Sequence, residues 1–197
     1  MLYINQQDYP DIPYRTNLDD PTSRGATRGT VASSACGLCS MMMVVDQLTM
    51  ETFPLEEAIR FAHEVNADRK VGPDMKIFGA ACAQKFGLNM TVSDDTKDVE
   101  ACLRDGGKVI MNVGGDHDGY VGLFSDEGHY VIIISVDHGE FCVLDPAWRV
   151  DKYSIPGRAG RLREDGKFLY TTAEELLKDT ANRFPGFYLF RRASSDR

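Results

Sequence analysis

The chain has 197 residues, 43% of them hydrophobic and 26% charged, with 22 basic against 30 acidic side chains and a formal net charge of −8. A chain of this size buries about 70% of its unfolded surface, enough for a core without a disulfide scaffold. The acidic balance argues against a nucleic-acid binder, which needs a basic face to neutralise phosphates. No apolar run approaches the about 20 residues of a membrane helix, and the polar N-terminus shows no export signal.

Five cysteines, Cys36, Cys39, Cys82, Cys102 and Cys142, are odd in number and widely spread. That pattern fits reduced thiols in a cytoplasmic protein; secretion would require that a leader had been removed. One domain is expected over 1–197, divided into an irregular arm (1–35), a helical part (36–107) and a sheet part (108–197).

The arm is rich in Asp, Pro, Thr, Arg and Gly and carries turn signals at Asp11-Ile12-Pro13 and Asp20-Pro21. Leu38, Met41, Val45 and Leu48 then fall on one helix face, with Ser33 and Ser34 as candidate caps, so Cys36 is expected at or close to a helix N-terminus. Further helices are predicted over Pro54–Val65, Met75–Phe86 and Thr96–Asp105. Strands follow at Lys108–Val113, His129–Asp137 and Phe141–Asp145, then a helix over Thr172–Phe184 and a strand over Phe187–Arg191. The mixed-charge tract Arg158–Lys167 is expected to be a mobile solvated loop. Helices first and strands afterwards imply an α+β fold with an antiparallel sheet.

A thiol attacks as thiolate, and a helix N-terminus favours that anion. Cys36 has this setting, whereas Cys82, Cys102 and Cys142 fall inside apolar elements and are expected in the core. Of four histidines, His129 opens a buried strand, where its ring projects from a rigid element. His63 and His138 are expected on the surface, and His117 in a glycine-rich loop whose flanking Asp116 and Asp118 lack the further ligands of a metal site. Asp145 ends the next strand and is the candidate acceptor for the second imidazole nitrogen. Cys36-Gly37-Leu38-Cys39 also spells a Cys-x-x-Cys, but the βαβ context of a thioredoxin-like motif is missing, as is the second pair of a zinc ribbon.

Four blocks resemble those of cysteine peptidase family 39 and its papain-like relatives: Tyr3-Ile4-Asn5-Gln6-Gln7-Asp8, the stretch Ser33 to Val44 around Cys36, Gly128-His129-Tyr130-Val131-Ile132-Ile133-Ile134, and Val143-Leu144-Asp145-Pro146-Ala147. The resemblance implies a papain-like fold with Cys36 as nucleophile, His129 as base, Asp145 as orienter and Gln6 as oxyanion donor, with Gln7 as the alternative donor. It also implies a peptide or protein substrate, with neither cofactor nor metal. Leu38 stands where the family usually has proline, and the ATPase and membrane segments of its leader-cleaving transporters are not in this sequence. A thiol acyltransferase with the same triad, or a non-catalytic peptide-binding domain of the same fold, shares these residues. The loop Gly114–Gly122 and the N-terminal arm are candidates for lining the cleft.

Strand parity adds a condition. A two-residue turn at His138-Gly139 pairs Ile132 with Asp145 and sends His129 and Asp145 to opposite faces, whereas a three-residue loop or a β-bulge brings them to one face.

Overall fold

The structure is a computed structural model and describes residues 1–193. Seven α-helices and a seven-stranded sheet occur among these residues: α1 (Arg24–Arg28), α2 (Val31–Ser34), α3 (Cys36–Leu48), α4 (Leu55–Glu64), α5 (Met75–Lys85), β1 (Leu88–Ser93), α6 (Thr96–Arg104), β2 (Lys108–Val113), β3 (His129–Asp137), β4 (Glu140–Leu144), β5 (Arg163–Asp165), β6 (Phe168–Thr172), α7 (Ala173–Thr180) and β7 (Phe187–Arg192). The strand order is β1-β7-β2-β3-β4-β6-β5, with every neighbouring pair antiparallel. The fold is α+β.

Alternation along the central strands divides the core in two. Ile110, Ile132, Leu144, Tyr188 and Phe190 meet the apolar residues of α3, α4 and α5. Their neighbours Val109, Met111, Val131, Ile133, Val143 and Leu189 meet Val99 and Leu103 of α6 and Leu176 of α7. The central helix α3 is buried along nearly its whole length because Leu38, Met41, Met42, Met43, Val44 and Val45 clothe it on all sides. It therefore lies inside the molecule with its N-terminus at the start of β3, where Ser40 Oγ donates to the Tyr130 carbonyl.

Several expectations are corrected. The arm is not irregular throughout: it holds a 3-10 turn at Gln6–Asp8 and the short helices α1 and α2. Ser33 and Ser34 belong to α2, and the residue capping α3 is Ala35, without a side-chain bond. Strand β1 interrupts the helical part, β5 lies in the tract expected to be a loop, and β6 follows it where no element was expected. Within that tract Arg158 is only 4% exposed, its Nε donating to the Gly122 carbonyl, while Arg161 pairs with Glu175. The helix α7 ends at Thr180, four residues short of the expected Phe184. Among the described residues no helix is long and apolar enough to cross a membrane.

The β3–β4 hairpin meets the parity condition by a bulge, not by loop length. The turn has two residues, His138 and Gly139, both with positive φ (47° and 82°), and Asp137 pairs with Glu140. Ser135 pairs with Cys142, yet Ile133 pairs with Val143, so one extra residue is absorbed on β3 at Ile134. From there Ile132 faces Leu144, and continuing the register sets Asp145 opposite Val131, on the same side as His129.

Candidate active site

Cys36 is the first residue of α3 and His129 the first of β3, so the packing of helix on sheet brings the two starts together. The Ala35 cap leaves the first N–H groups of α3 free of side-chain acceptors, and their partial positive charge falls on Sγ. Gly37 lets this terminus close up: a Cβ there would stand 2.6 Å from Pro73 Cγ and 3.2 Å from the Tyr130 ring. Burial pushes the Cys36 thiol up, but a hydrogen bond and charge from His129, with the backbone N–H groups of Tyr130 and Gly37, outweigh it. The pKa lies below the ordinary thiol value.

Asp145 holds the far side of the imidazole. His129 Nε2 donates to Asp145 Oδ1 at 2.7 Å, which leaves Nδ1 as the nitrogen toward Cys36. Burial alone would lower the His129 pKa; the charge and hydrogen bond of Asp145, helped by Cys36, raise it to about 9.

Sequence reasoning missed what surrounds the carboxylate. Asp145 is fully buried and accepts four hydrogen bonds: from His129, from the Ala147 N–H at 2.8 Å, from Tyr153 Oη at 2.6 Å and from Lys152 Nζ. Lys152 is itself 7% exposed, so a buried ion pair stands directly behind the imidazole. Burial would raise the Asp145 pKa, but the charges of Lys152 and then His129 hold it far below the usual carboxylate range. Burial and the Asp145 charge likewise keep Tyr153 protonated, as a donor.

The N-terminal segment ties this loop down. Tyr3 Oη donates to the Asp145 carbonyl, Asn5 Nδ2 to the Trp148 carbonyl and the Gln6 N–H to the Pro146 carbonyl. Gln6 is buried and its Nε2 donates to the Ala32 carbonyl at 2.6 Å, in the turn of helix just before Cys36; Gln7 Nε2 reaches the same carbonyl at 3.0 Å from an exposed position. A primary amide has two N–H groups, so the Gln6 bond to Ala32 leaves one free.

A cleft of about 260 Å³ opens on Cys36 and His129, walled by Ser33, Ser34, Val71 and Gly72 on one side and by Asn112, Gly128 and Arg183 on the other. A second hollow, with Ser33, Ser34, Val71 and Glu127 in common, continues past Arg24 and Gly25 of the arm. The loop Gly114–Gly122, expected at the cleft, lines neither. It is clamped elsewhere by buried Asp179, which accepts from Tyr120 Oη and from the N–H groups of Leu123 and Phe124. His117 turns back onto its own loop, against the Gly115 carbonyl and the Tyr120 ring. His63 is exposed, as expected, and its ring contacts buried Asp68.

The four other thiols are buried, and burial raises the pKa of each. One equivalent of iodoacetamide at neutral pH is therefore expected to label Cys36 ahead of the rest, by peptide mapping. Preferential labelling of Cys39, three residues away, would remove the basis for a special Cys36.

No protein-family model and no curated protein sequence matches the chain. Among solved structures it is similar to the peptidase domain of Streptococcus ComA, a bi-functional ABC transporter involved in a quorum-sensing pathway, with 14% identity, a TM-score of 0.46, and coverage of 79% of this chain and 88% of that one. It is also similar to a Bacillus anthracis protein described as a C39-like peptidase, with 11% identity, a TM-score of 0.50, and coverage of 92% and 94%. At such identity the likeness is one of fold, and the fold is the papain-like α+β arrangement of C39-like peptidases.

Proposed function

We propose that this chain is a papain-like cysteine peptidase that cleaves a peptide or amide bond through Cys36, His129 and Asp145. The observation that carries the reading is the convergence of a thiol with lowered pKa and a carboxylate-backed imidazole on one open cleft. The Cys36 thiolate attacks the substrate carbonyl carbon. The oxyanion so formed accepts hydrogen bonds from the Cys36 N–H and from the free N–H of the Gln6 amide. The His129 imidazolium then gives its proton to the leaving amine as the carbon–nitrogen bond breaks. Water, losing a proton to His129, bonds to the acyl carbon; the carbon–sulfur bond then breaks, the acid leaves and the Cys36 thiolate and His129 imidazolium are restored. Asp145 keeps the imidazole in the required tautomer, and Lys152 and Tyr153 fix Asp145 in turn.

The test is incubation of the full chain with a peptide library, reading cleavage by mass spectrometry with and without iodoacetamide and an added amine. Cleavage that iodoacetamide abolishes supports the peptidase. Product that partitions to the amine in preference to water identifies an acyltransferase, and no reaction with either leaves a binding domain.

The pH profile should be bell-shaped. The reactive ion pair appears as Cys36 ionises, below the ordinary thiol range, and disappears as His129 deprotonates near pH 9. The same shift has a stability sign. The folded His129 pKa lies above its unfolded 6.5, so its contribution is full below pH 6.5 and is lost as pH rises through about 9. A basic limb of kcat/KM near 6.5 would show that Asp145 does not act on His129.

A further inference from the structure

We infer that the cleft beside Cys36 selects a carboxylate of the substrate and holds it on the guanidinium of Arg183. The inference rests on the peptidase reading and adds a substrate class to it.

Arg183 lies in the turn between α7 and β7, where its N–H donates to the Thr180 carbonyl at 2.8 Å. Its guanidinium covers Gly128: a Cβ on that glycine would stand 2.6 Å from Nη2. Gly128 directly precedes His129, so the cation is held one residue from the proposed base, on the wall of the same cleft. Other arginines find partners within the chain: Arg161 in Glu175 and Tyr120, Arg163 in Glu140 at the surface, Arg158 in the Gly122 carbonyl. Arg183 has no such partner. Among the described residues no carboxylate pairs with it, and its buried Nε has no hydrogen-bond acceptor.

A guanidinium offers five N–H groups in a planar fork that matches a carboxylate, and removing it from water without an acceptor is unfavourable. In a chain of net charge −8, an unpaired cation lining the same cleft as Cys36 is suited to an anionic part of the substrate. The acid of the same cleft, Glu127, is exposed to water, which screens its pull on a basic substrate. The carboxylate could belong to an Asp or Glu side chain on the acyl side or to a free C-terminus on the leaving side.

Two arms separate these sources. In the first, the full chain is treated with acetyl-Glu-Gly, acetyl-Gln-Gly and acetyl-Lys-Gly chloromethyl ketones, from which the Cys36 thiolate displaces chloride to form a thioether. In the second, acetyl-tripeptides with a free or an amidated C-terminus protect Cys36 against iodoacetamide. The expected result is a preference of about tenfold for the carboxylate, in the first arm for a side chain or in the second for a C-terminus. That ratio should fall close to one in Arg183→Gln and stay intermediate in Arg183→Lys. Because each ratio is taken within one variant, partial unfolding cancels. No preference in either arm, a faster reaction with the Lys reagent, or a preference that survives in Arg183→Gln overturns the inference alone. A Cys36 that reacts with neither the Gln reagent nor iodoacetamide overturns the peptidase reading, and this inference with it.

Discussion

Cys36→Ala is expected to reduce peptide hydrolysis by about 10⁴-fold or more, because the covalent route depends on this one sulfur and what remains is binding and oxyanion stabilisation. The fold should not follow the activity down. Cys36 is partly exposed at a helix start, alanine is the best helix former, and Cys36 is not among the residues of the two hydrophobic clusters. Thermal unfolding within a few degrees of the parent, together with lost cleavage, is therefore the expected pair of results. Cleavage that persists in Cys36→Ala would place the nucleophile elsewhere, and a collapse of the melting temperature would make the loss uninformative. His129→Ala should act on the same step, and the double variant should lose little more than either single one, since the two groups work as a unit.

The contrast between what sequence reasoning found and what it missed has a physical basis. Cys36 was legible because the apolar period of α3 starts abruptly after a polar arm, and His129 because an unbroken apolar run follows it. The strands β2 and β3 match their expected limits for the same reason: they are central and apolar. The strands toward the ends of the sheet were harder to read. Edge strand β1 does alternate, as Leu88-Asn89-Met90-Thr91-Val92-Ser93, but it is short and set between two helices, and most of it stays exposed or half-exposed. The other edge strand, β5, is Arg-Glu-Asp, and β6 beside it reads Phe-Leu-Tyr-Thr-Thr after a charged turn, with no apolar and polar alternation in either. The bulge that turns Asp145 to the side of His129 falls in Ile132-Ile133-Ile134, where no residue type marks an extra position. Ser33 does not cap α3 because its hydroxyl serves the helix before it, accepting from the Thr30 N–H. Lys152 and Arg183 were invisible for another reason: a cation in a loop looks solvated until the path of the loop is known.

Lys152→Met is the variant expected to cost most in stability. Removing one member of a buried ion pair leaves the other charge uncompensated, at about 3–5 kcal/mol where nothing else is near. Here the His129 imidazolium, Tyr153 and the Ala147 N–H still serve Asp145, so the lower figure of about 3 kcal/mol applies, with a fall in melting temperature of roughly 6–12 °C. Removing the Asp145 charge as well, in Lys152→Met with Asp145→Asn, should recover part of that loss, because no unpaired charge is then buried. The electrostatics carry a second signature. Of the influences that offset the burial of Asp145, the charge of Lys152 is the largest, and it also draws part of the carboxylate field away from the imidazole. With Lys152 gone, His129 faces the whole charge of Asp145, its pKa rises, and the basic limb of the kcat/KM profile should move above about 9. A lysine that only filled space would lower the melting temperature and leave that limb in place. A limb that moves down, toward 6.5, would mean that Asp145 has taken up a proton once its cation was removed, and Lys152 would then be the group that keeps the carboxylate ionised behind His129.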